Sequence, residues 1–505
     1  MTRALPERAD VRQLRTQAKE LLHRLQSADP EAVSLAKTHD PLLDPASARL
    51  ADAQRILARS YGHPSWPKLV ESVEMPDLLD RFRRCIDELD AKTLDRLLRE
   101  HRSVRRRLND PLFAFDAPAL VTLAGREGAE AVLRTLVAHG ADPNARSQWW
   151  AGGFGPLELA AASNRSVLVE LGAEYDVWSA AAHGNLEELR KILDEDPSRV
   201  NAPGGDGMRP LHFASTPEAA ELLISRGADL EARDTDHEGT PAQHQAARPE
   251  VLRVLLKHGA KPDIFTAVAL DDADLARKVL EDDPGSASYR VDRPPFACVK
   301  SDGGHIYGYI FTRGATPLVE AARRSCDKVF HAIDAASPNG SRLIARVLRG
   351  DEDGLRRLLA EHPSLAADLD PEDARAIADA AGAGDLRTLR LLLEAGVDPQ
   401  SKGMDGGTAL HVACWFGQAE AVAMLVGRVP LDARDEVHGS TPLGWAAHGA
   451  QHCWRKGGDH VRTVEILLEA GAPVAEPANS AGTGILDQAG GRDDVKEVLR
   501  RYGAV

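Results

Sequence analysis

The chain has 505 residues and is acidic, with 77 aspartate and glutamate residues against 62 lysine and arginine residues and a formal net charge of −15. This balance argues against a nucleic-acid partner, because such a partner selects a basic surface. A chain of this length exceeds what one hydrophobic core can serve, whereas a repetitive architecture adds an interface with each repeat.

The cysteine pattern and the hydropathy predict a cytoplasmic protein. The five cysteines are scattered and contain no CxxC pair, so the sequence indicates neither a disulfide framework nor a zinc site. No apolar run approaches the length of a membrane span, and residues 1–10 are too polar for a signal peptide. We therefore expect no membrane partner.

Residues 1–76 are predicted to form a separate helical domain. Apolar residues recur with helical spacing at 11–25 and again at 50–61. Gly62 and Pro64 follow the second run and end its helix. We expect this domain to cover the apolar end of the repeats that follow.

From residue 78 onward the sequence repeats itself. The box Thr408-Ala409-Leu410-His411 recurs 33 residues later as Thr441-Pro442-Leu443-Gly444, and Gly-Ala-Asp closes units at 140–142 and 227–229. This period is typical of stacked helix–turn–helix units. Threonine is a good N-cap, proline suits the first helical position, and glycine suits the left-handed residue after a helix.

These motifs resemble those of the ankyrin-repeat family over residues 78–503. The blocks at 236–243 and 438–449 resemble a bacterial multi-repeat subgroup with an N-terminal helical segment. The resemblance implies an all-α solenoid that binds a protein or a ligand on its concave face.

Three aromatic segments do not fit the repeat period and read as insertions, at 147–155, 293–314 and 449–459. The second insertion counts as a domain of its own. The predicted domains are therefore the helical domain at 1–76, a first array at 77–292, the insertion at 293–314 and a second array at 315–505.

The insertion at 293–314 is predicted to be a β-hairpin. Two β-prone runs flank the turn dipeptide Asp302-Gly303. Tyr307, Tyr309 and Phe311 alternate along the second run and would share one face of a strand. We expect this hairpin to stand off the repeats, with its aromatic face packed on the solenoid or over a site. If the protein is an enzyme, the hairpin would act as a lid.

No catalytic, phosphate-binding or dinucleotide motif occurs, so the sequence predicts no cofactor. His448, His452 and Cys453 have a spacing that metal ligands can use, but Gly449 is expected to end their helix. His411 occupies the box position whose imidazole bonds the backbone between repeats. The sequence therefore predicts no metal site.

Alignment of the repeats on their boxes predicts a ligand pocket. Trp415 and Phe416 end one first helix at the groove, and His448 holds the matching position in the next repeat. Trp445 lies one turn before His448. Aromatic walls around a titratable centre describe a binding site, to which we add His411, Tyr307 and Trp454 as candidate ligand contacts.

Besides a purely structural spacer, two functions remain open from the sequence. The first is recognition of a partner protein on the concave groove, with the aromatic residues as anchors. The second is a cofactor-independent enzyme acting on a small apolar metabolite, with His448 as general base. An enzyme needs insertions folded over its pocket, whereas a recognition protein keeps the groove open.

Overall fold

The computed structural model describes residues 3–6, 9–475 and 477–505 and is built from helices. No β-strand occurs in these described ranges, which contain only two isolated bridges. No helix among them is long and apolar enough to cross a membrane. The chain divides into two compact units, residues 1–228 and 229–505.

The first unit contains α1 to α14. Their bounds are α1 Val11–Gln26, α2 Pro30–His39, α3 Leu50–Ser60, α4 Trp66–Asp87, α5 Ala91–Glu100, α6 Arg102–Arg105, α7 Ala119–Ala124, α8 Glu130–Ala138, α9 Pro156–Leu159, α10 Ala162–Glu170, α11 Val177–His183, α12 Leu186–Glu195, α13 Pro210–Phe213 and α14 Pro217–Ser225.

The N-terminal helices α1 to α3 pack around an apolar cluster of their own, with Leu21 and Ile56 among its buried residues. A second cluster lies around Phe82 and Leu133 and joins α4 to the helix pairs that follow. The predicted boundary at residue 76 falls inside α4, because that helix continues through Pro76. The division into domains stays a prediction.

The second unit contains α15 to α32. Their bounds are α15 Pro241–His244, α16 Pro249–Lys257, α17 Ile264–Leu270, α18 Ala273–Asp282, α19 Tyr307–Ile310, α20 Pro317–Arg323, α21 Asp327–Ile333, α22 Asn339–Arg349, α23 Glu352–Glu361, α24 Pro371–Ala374, α25 Ala376–Ala383, α26 Leu386–Glu394, α27 Ala409–Trp415, α28 Ala419–Leu425, α29 Pro442–His452, α30 His460–Glu469, α31 Ile485–Gln488 and α32 Asp493–Arg501.

Successive helix pairs of the second unit stack in the order of the sequence. The first helices α25, α27 and α29 pack side by side, and α28 packs against α30 in the second row. Thr441 caps α29 by accepting a hydrogen bond from the Gly444 N–H, as its place in the box predicts. Gly396 and Gly471 adopt positive φ just after α26 and α30, which confirms the predicted helix ends.

The predicted β-hairpin at 293–314 is wrong. The segment is an irregular loop followed by the single-turn helix α19. Tyr307 and Phe311 are buried around Phe265, with ring centroids 5.3 Å from it in both cases. Tyr309 is exposed instead of sharing their face. The aromatic residues therefore follow helical spacing and complete the core of their own repeat.

Candidate functional site

The described residues of the second unit enclose a cavity of about 400 Å³ at the C-terminal repeats. Its walls come from the first helices α27, α29 and α31, from the loops that precede them and from the insertion that follows α29. Such a volume lies at the small end of the range for ligand pockets. The lining residues are Met404, Asp405, Trp415, His438, Ser440, Gly444, Trp445, His448, Trp454, Asn479 and Gln488.

Trp415, the last residue of α27, is the centre of the aromatic wall. Its ring centroid lies 6.1 Å from that of Trp445, 5.7 Å from that of Trp454 and 5.7 Å from that of His448. Its indole N–H is buried and has no hydrogen-bond partner among the described residues. Ring packing against these three neighbours therefore holds the Trp415 side chain.

Trp445 is the fixed wall of the cavity. Its Nε1 donates to Oδ2 of Asp435 at 2.8 Å, and its ring packs edge-on against His411 at 5.5 Å. Burial opposes ionisation of Asp435, but N–H groups from His438, Trp445 and Ser440 outweigh it, so the pKa of Asp435 lies below its usual value. The carboxylate therefore stays charged and keeps the indole in place.

His448 lies on α29 one turn after Trp445. It lines the cavity and is half-buried. Burial lowers the pKa of His448 below 6.5, and the nearby His452 and His438 lower it further, although a hydrogen bond to Gln488 opposes them. The imidazole is therefore neutral at neutral pH. Contrary to the expectation that Gly449 ends this helix, α29 continues to His452, and the two imidazole centroids lie 4.4 Å apart.

The mouth of the cavity is polar apart from one indole. Asp405 is exposed on the loop before α27, and its Oδ2 lies 3.6 Å from Nε2 of His438. Trp454, in the insertion after α29, is 63% exposed. This indole borders the cavity and is accessible to a binding partner.

Two glycines allow the helices around the cavity to approach closely. A Cβ on Gly449 would lie 2.4 Å from the carbonyl oxygen of Trp415, and one on Gly382 would lie 2.6 Å from a methyl group of Val412. Neither glycine lines the cavity. They set the separation of α25, α27 and α29, which in turn places Trp415 against His448.

The structure brings together four of the residues that the sequence predicted for the site. Trp415, Trp445, Trp454 and His448 all line the cavity.

The other three predicted contacts do not line it. Phe416 is buried against Trp454 at 5.4 Å, and His411 is buried behind Trp445. Tyr307 is fully buried, and its hydroxyl bonds the carboxylate of Asp263.

Sequence reasoning missed the polar residues Asp405, His438 and Gln488. They belong to two loops and to α31, and no motif joins them along the chain. Asp405 and His438 precede α27 and α29 by the same number of residues, and this shared repeat position was a signal that the sequence offered.

Comparison with known proteins identifies the repeats. A family model described as ankyrin repeats in three copies matches residues 177–266 and 377–478. Cyclin-dependent kinase 4 inhibitor B of Rattus norvegicus is 33% identical over 112 residues, which is 21% of this chain and 85% of that protein.

Two longer proteins share only parts of their length with this chain. E3 ubiquitin-protein ligase KEG of Arabidopsis thaliana is 28% identical over 279 residues, 49% of this chain and 16% of that protein. Ankyrin repeat and SAM domain-containing protein 6 of Mus musculus is 35% identical over 91 residues, 17% of this chain and 10% of that protein.

The chain belongs to the ankyrin-repeat family, and its fold is an all-α array of such repeats. These relatives come from a plant and from mammals, so the bacterial subgroup stays a prediction.

Proposed function

We propose that this chain is a recognition protein that binds a partner protein by taking one of its side chains into the cavity between α27, α29 and α31. The observation that carries the proposal is the wall of three indoles, of which Trp454 is 63% exposed. Tryptophan is among the residues that most often dominate binding energy, particularly next to a pocket that excludes water.

The relatives support a protein as the partner. Cyclin-dependent kinase 4 inhibitor B is by its name an inhibitor of a protein, and this chain matches 85% of its length. The five cysteines are free thiols in the structure, which supports a reducing compartment such as the cytoplasm as the setting.

The enzymatic alternative has less support. It required the segment 293–314 to close over the pocket, whereas that segment is part of a core and contributes no lining residue. The enzymatic alternative is favoured by one feature: the lowered pKa of His448, whose imidazole packs against Trp415 in the cavity and could act as a general base. Loss of turnover in His448→Ala, with folding intact, would separate the two functions once a reaction is found.

The proposal is tested by selecting binders from a displayed library of random peptides with the wild-type chain and then measuring their affinity for Trp454→Ala. We expect the selected peptides to share one large anchor side chain. The substitution should weaken their binding by about 2 kcal/mol, roughly 30-fold, because it removes an anchor wall.

Trp150→Ala is the matched control, because Trp150 is an exposed tryptophan of the first unit. It should leave peptide affinity unchanged. Thermal unfolding of both variants should match wild type, since neither side chain is buried. If no peptide is enriched, or if Trp454→Ala binds every peptide as tightly as wild type does, the cavity is not the recognition site.

A further inference from the structure

The cavity lining includes an acidic side chain, which a purely apolar ligand would not need. Asp405 is the one carboxylate among the described lining residues, and none of those residues is a lysine or an arginine. The nearby Arg455 stacks on Phe416 at 4.2 Å and donates to the Gly382 carbonyl oxygen at 3.2 Å. Lys402 pairs with Glu436 at 3.8 Å, so these two charges offset each other.

The aromatic rings of the lining are not parallel to one another, so their faces point in different directions. The Trp415 plane makes angles of 76° with Trp445 and 49° with Trp454. The face of an indole ring is the negative end of its quadrupole and attracts a cation that approaches within about 6 Å. Three indoles and one carboxylate in the lining of the same cavity favour a positively charged group over a neutral group of the same shape.

The two lining histidines are compatible with a cation. His448 is neutral at neutral pH because burial and the neighbouring His452 and His438 lower its pKa. His438 lies beside the Asp405 carboxylate.

We propose that the cavity binds an alkylammonium cation, held against the indoles of Trp415 and Trp454 and balanced by the carboxylate of Asp405. This inference rests on the proposed function and specifies its ligand: the side chain of a lysine or methylated lysine of the partner. A free quaternary ammonium compound has the same chemistry, and the experiment below distinguishes the two sources.

The test compares choline with 3,3-dimethylbutan-1-ol, which has the same shape without the charge. Binding to the full chain is followed by tryptophan fluorescence and by calorimetry. We expect choline to bind roughly tenfold more tightly or better, because cation–π attraction acts on the charge alone. If the alcohol binds as tightly as choline, or if neither choline nor any of the charged peptides described below binds, the cation proposal is overturned.

Asp405→Asn tests the carboxylate. Asp405 has a positive φ of 51°, a conformation that asparagine also tolerates, so the turn should be preserved. Choline affinity should fall by roughly threefold to tenfold, while the affinity of the neutral alcohol stays the same. Asp432→Asn, at an exposed aspartate outside the lining, is the matched control and should change neither affinity.

A third comparison identifies the source of the cation. Short peptides that carry lysine, trimethyllysine or neutral norleucine at one position are measured beside choline. Tighter binding of a charged peptide than of choline assigns the cavity to a partner protein, and the reverse assigns it to a free cation. If the norleucine peptide binds as tightly as the charged peptides, the cation proposal is overturned but recognition of a partner protein is still supported. If the library experiment enriches no peptide, both proposals are overturned.

Discussion

His411 is a structural residue whose hydrogen bonds specify one protonation state. Its Nδ1 accepts from the Thr408 N–H at 3.2 Å, and its Nε2 donates to the carbonyl oxygens of Ala433 and Ser440 at 3.1 and 3.0 Å. In the doubly protonated ring, the proton on Nδ1 would point at the Thr408 N–H, and this hydrogen bond would be lost. Burial is the largest cause of the lowered pKa of His411, which is about 4.

The stability of the second unit should therefore fall with acid. The unfolded chain protonates His411 near pH 6.5 and the folded chain only near pH 4, so stability is lost as the pH falls between these values. At pH 5 the lowered pKa of His411 should reduce the free energy of unfolding by about 2 kcal/mol. Urea unfolding at pH 7 and pH 5 measures the loss.

His411→Gln is the informative variant, because Gln243 already fills this box position and accepts from the Thr240 N–H at 3.0 Å. Between pH 7 and pH 5, the free energy of unfolding of the variant should fall by about 2 kcal/mol less than that of wild type. His331→Gln, at an exposed histidine, should follow wild type. An unchanged pH dependence in His411→Gln would contradict this role of His411.

At the scale of single residues, the sequence predicted the residues of the site that occupy repeat positions. Trp415 and His448 fall at the ends of successive first helices, so the period alone placed them side by side. Asp405 and His438 come from different loops and meet only through the stacking of the repeats. Their contact depends on loop conformation, including the positive φ of Asp405, which the period does not encode.

At the scale of elements, the segment 293–314 shows why the hairpin prediction was wrong. Alternating aromatic residues around an Asp-Gly turn favour a hairpin locally, but an isolated two-stranded hairpin is only marginally stable. Phe296, Tyr307 and Phe311 instead enter an apolar core beside Phe265. Burial of three aromatic side chains outweighs the local turn preference.

Tyr307→Phe should destabilise the second unit. The Tyr307 hydroxyl bonds both carboxylate oxygens of the partly buried Asp263, at 2.8 and 2.7 Å. Its removal deprives a desolvated carboxylate of a donor and should cost about 1–3 kcal/mol in chemical unfolding.

Tyr309→Phe is the matched control for this prediction. Its hydroxyl also donates, to the Gly303 carbonyl oxygen at 3.0 Å, but the side chain is exposed, so water can replace the bond. We expect a change below about 0.5 kcal/mol. Equal losses in the two variants would mean that the Asp263 contact contributes nothing specific. Deletion of 296–312 should unfold this repeat, since the segment supplies part of its core.

At the scale of the whole molecule, stability should be distributed along the repeats. The second unit contains two large apolar clusters, one that includes Leu318 and one that includes Leu410. In a stacked array each repeat is stabilised mainly by its neighbours, so a local defect has effects that decline along the stack. Cavity binding should therefore respond to some core defects and not to others.

Leu318→Ala and Leu410→Ala test this distribution. Both leucines are fully buried in first helices, so each substitution should cost about 2–5 kcal/mol. Hydrogen exchange should rise around α17 to α22 in the first variant and around α25 to α29 in the second. Only Leu410→Ala should weaken peptide binding. Uniform exchange across the second unit in both variants would instead indicate a single cooperative block.

The close approach at Gly382 and Gly449 has a consequence for how this protein can diversify. These two positions fix the separation of the helices, whereas the side chains that face the cavity are other residues. The close helix contacts at these two glycines and the ligand preference of the lining side chains are therefore encoded by different codons. Descendants of this gene could exchange Asp405 or Trp454 and acquire new partners without rebuilding the scaffold, provided that both glycines are retained.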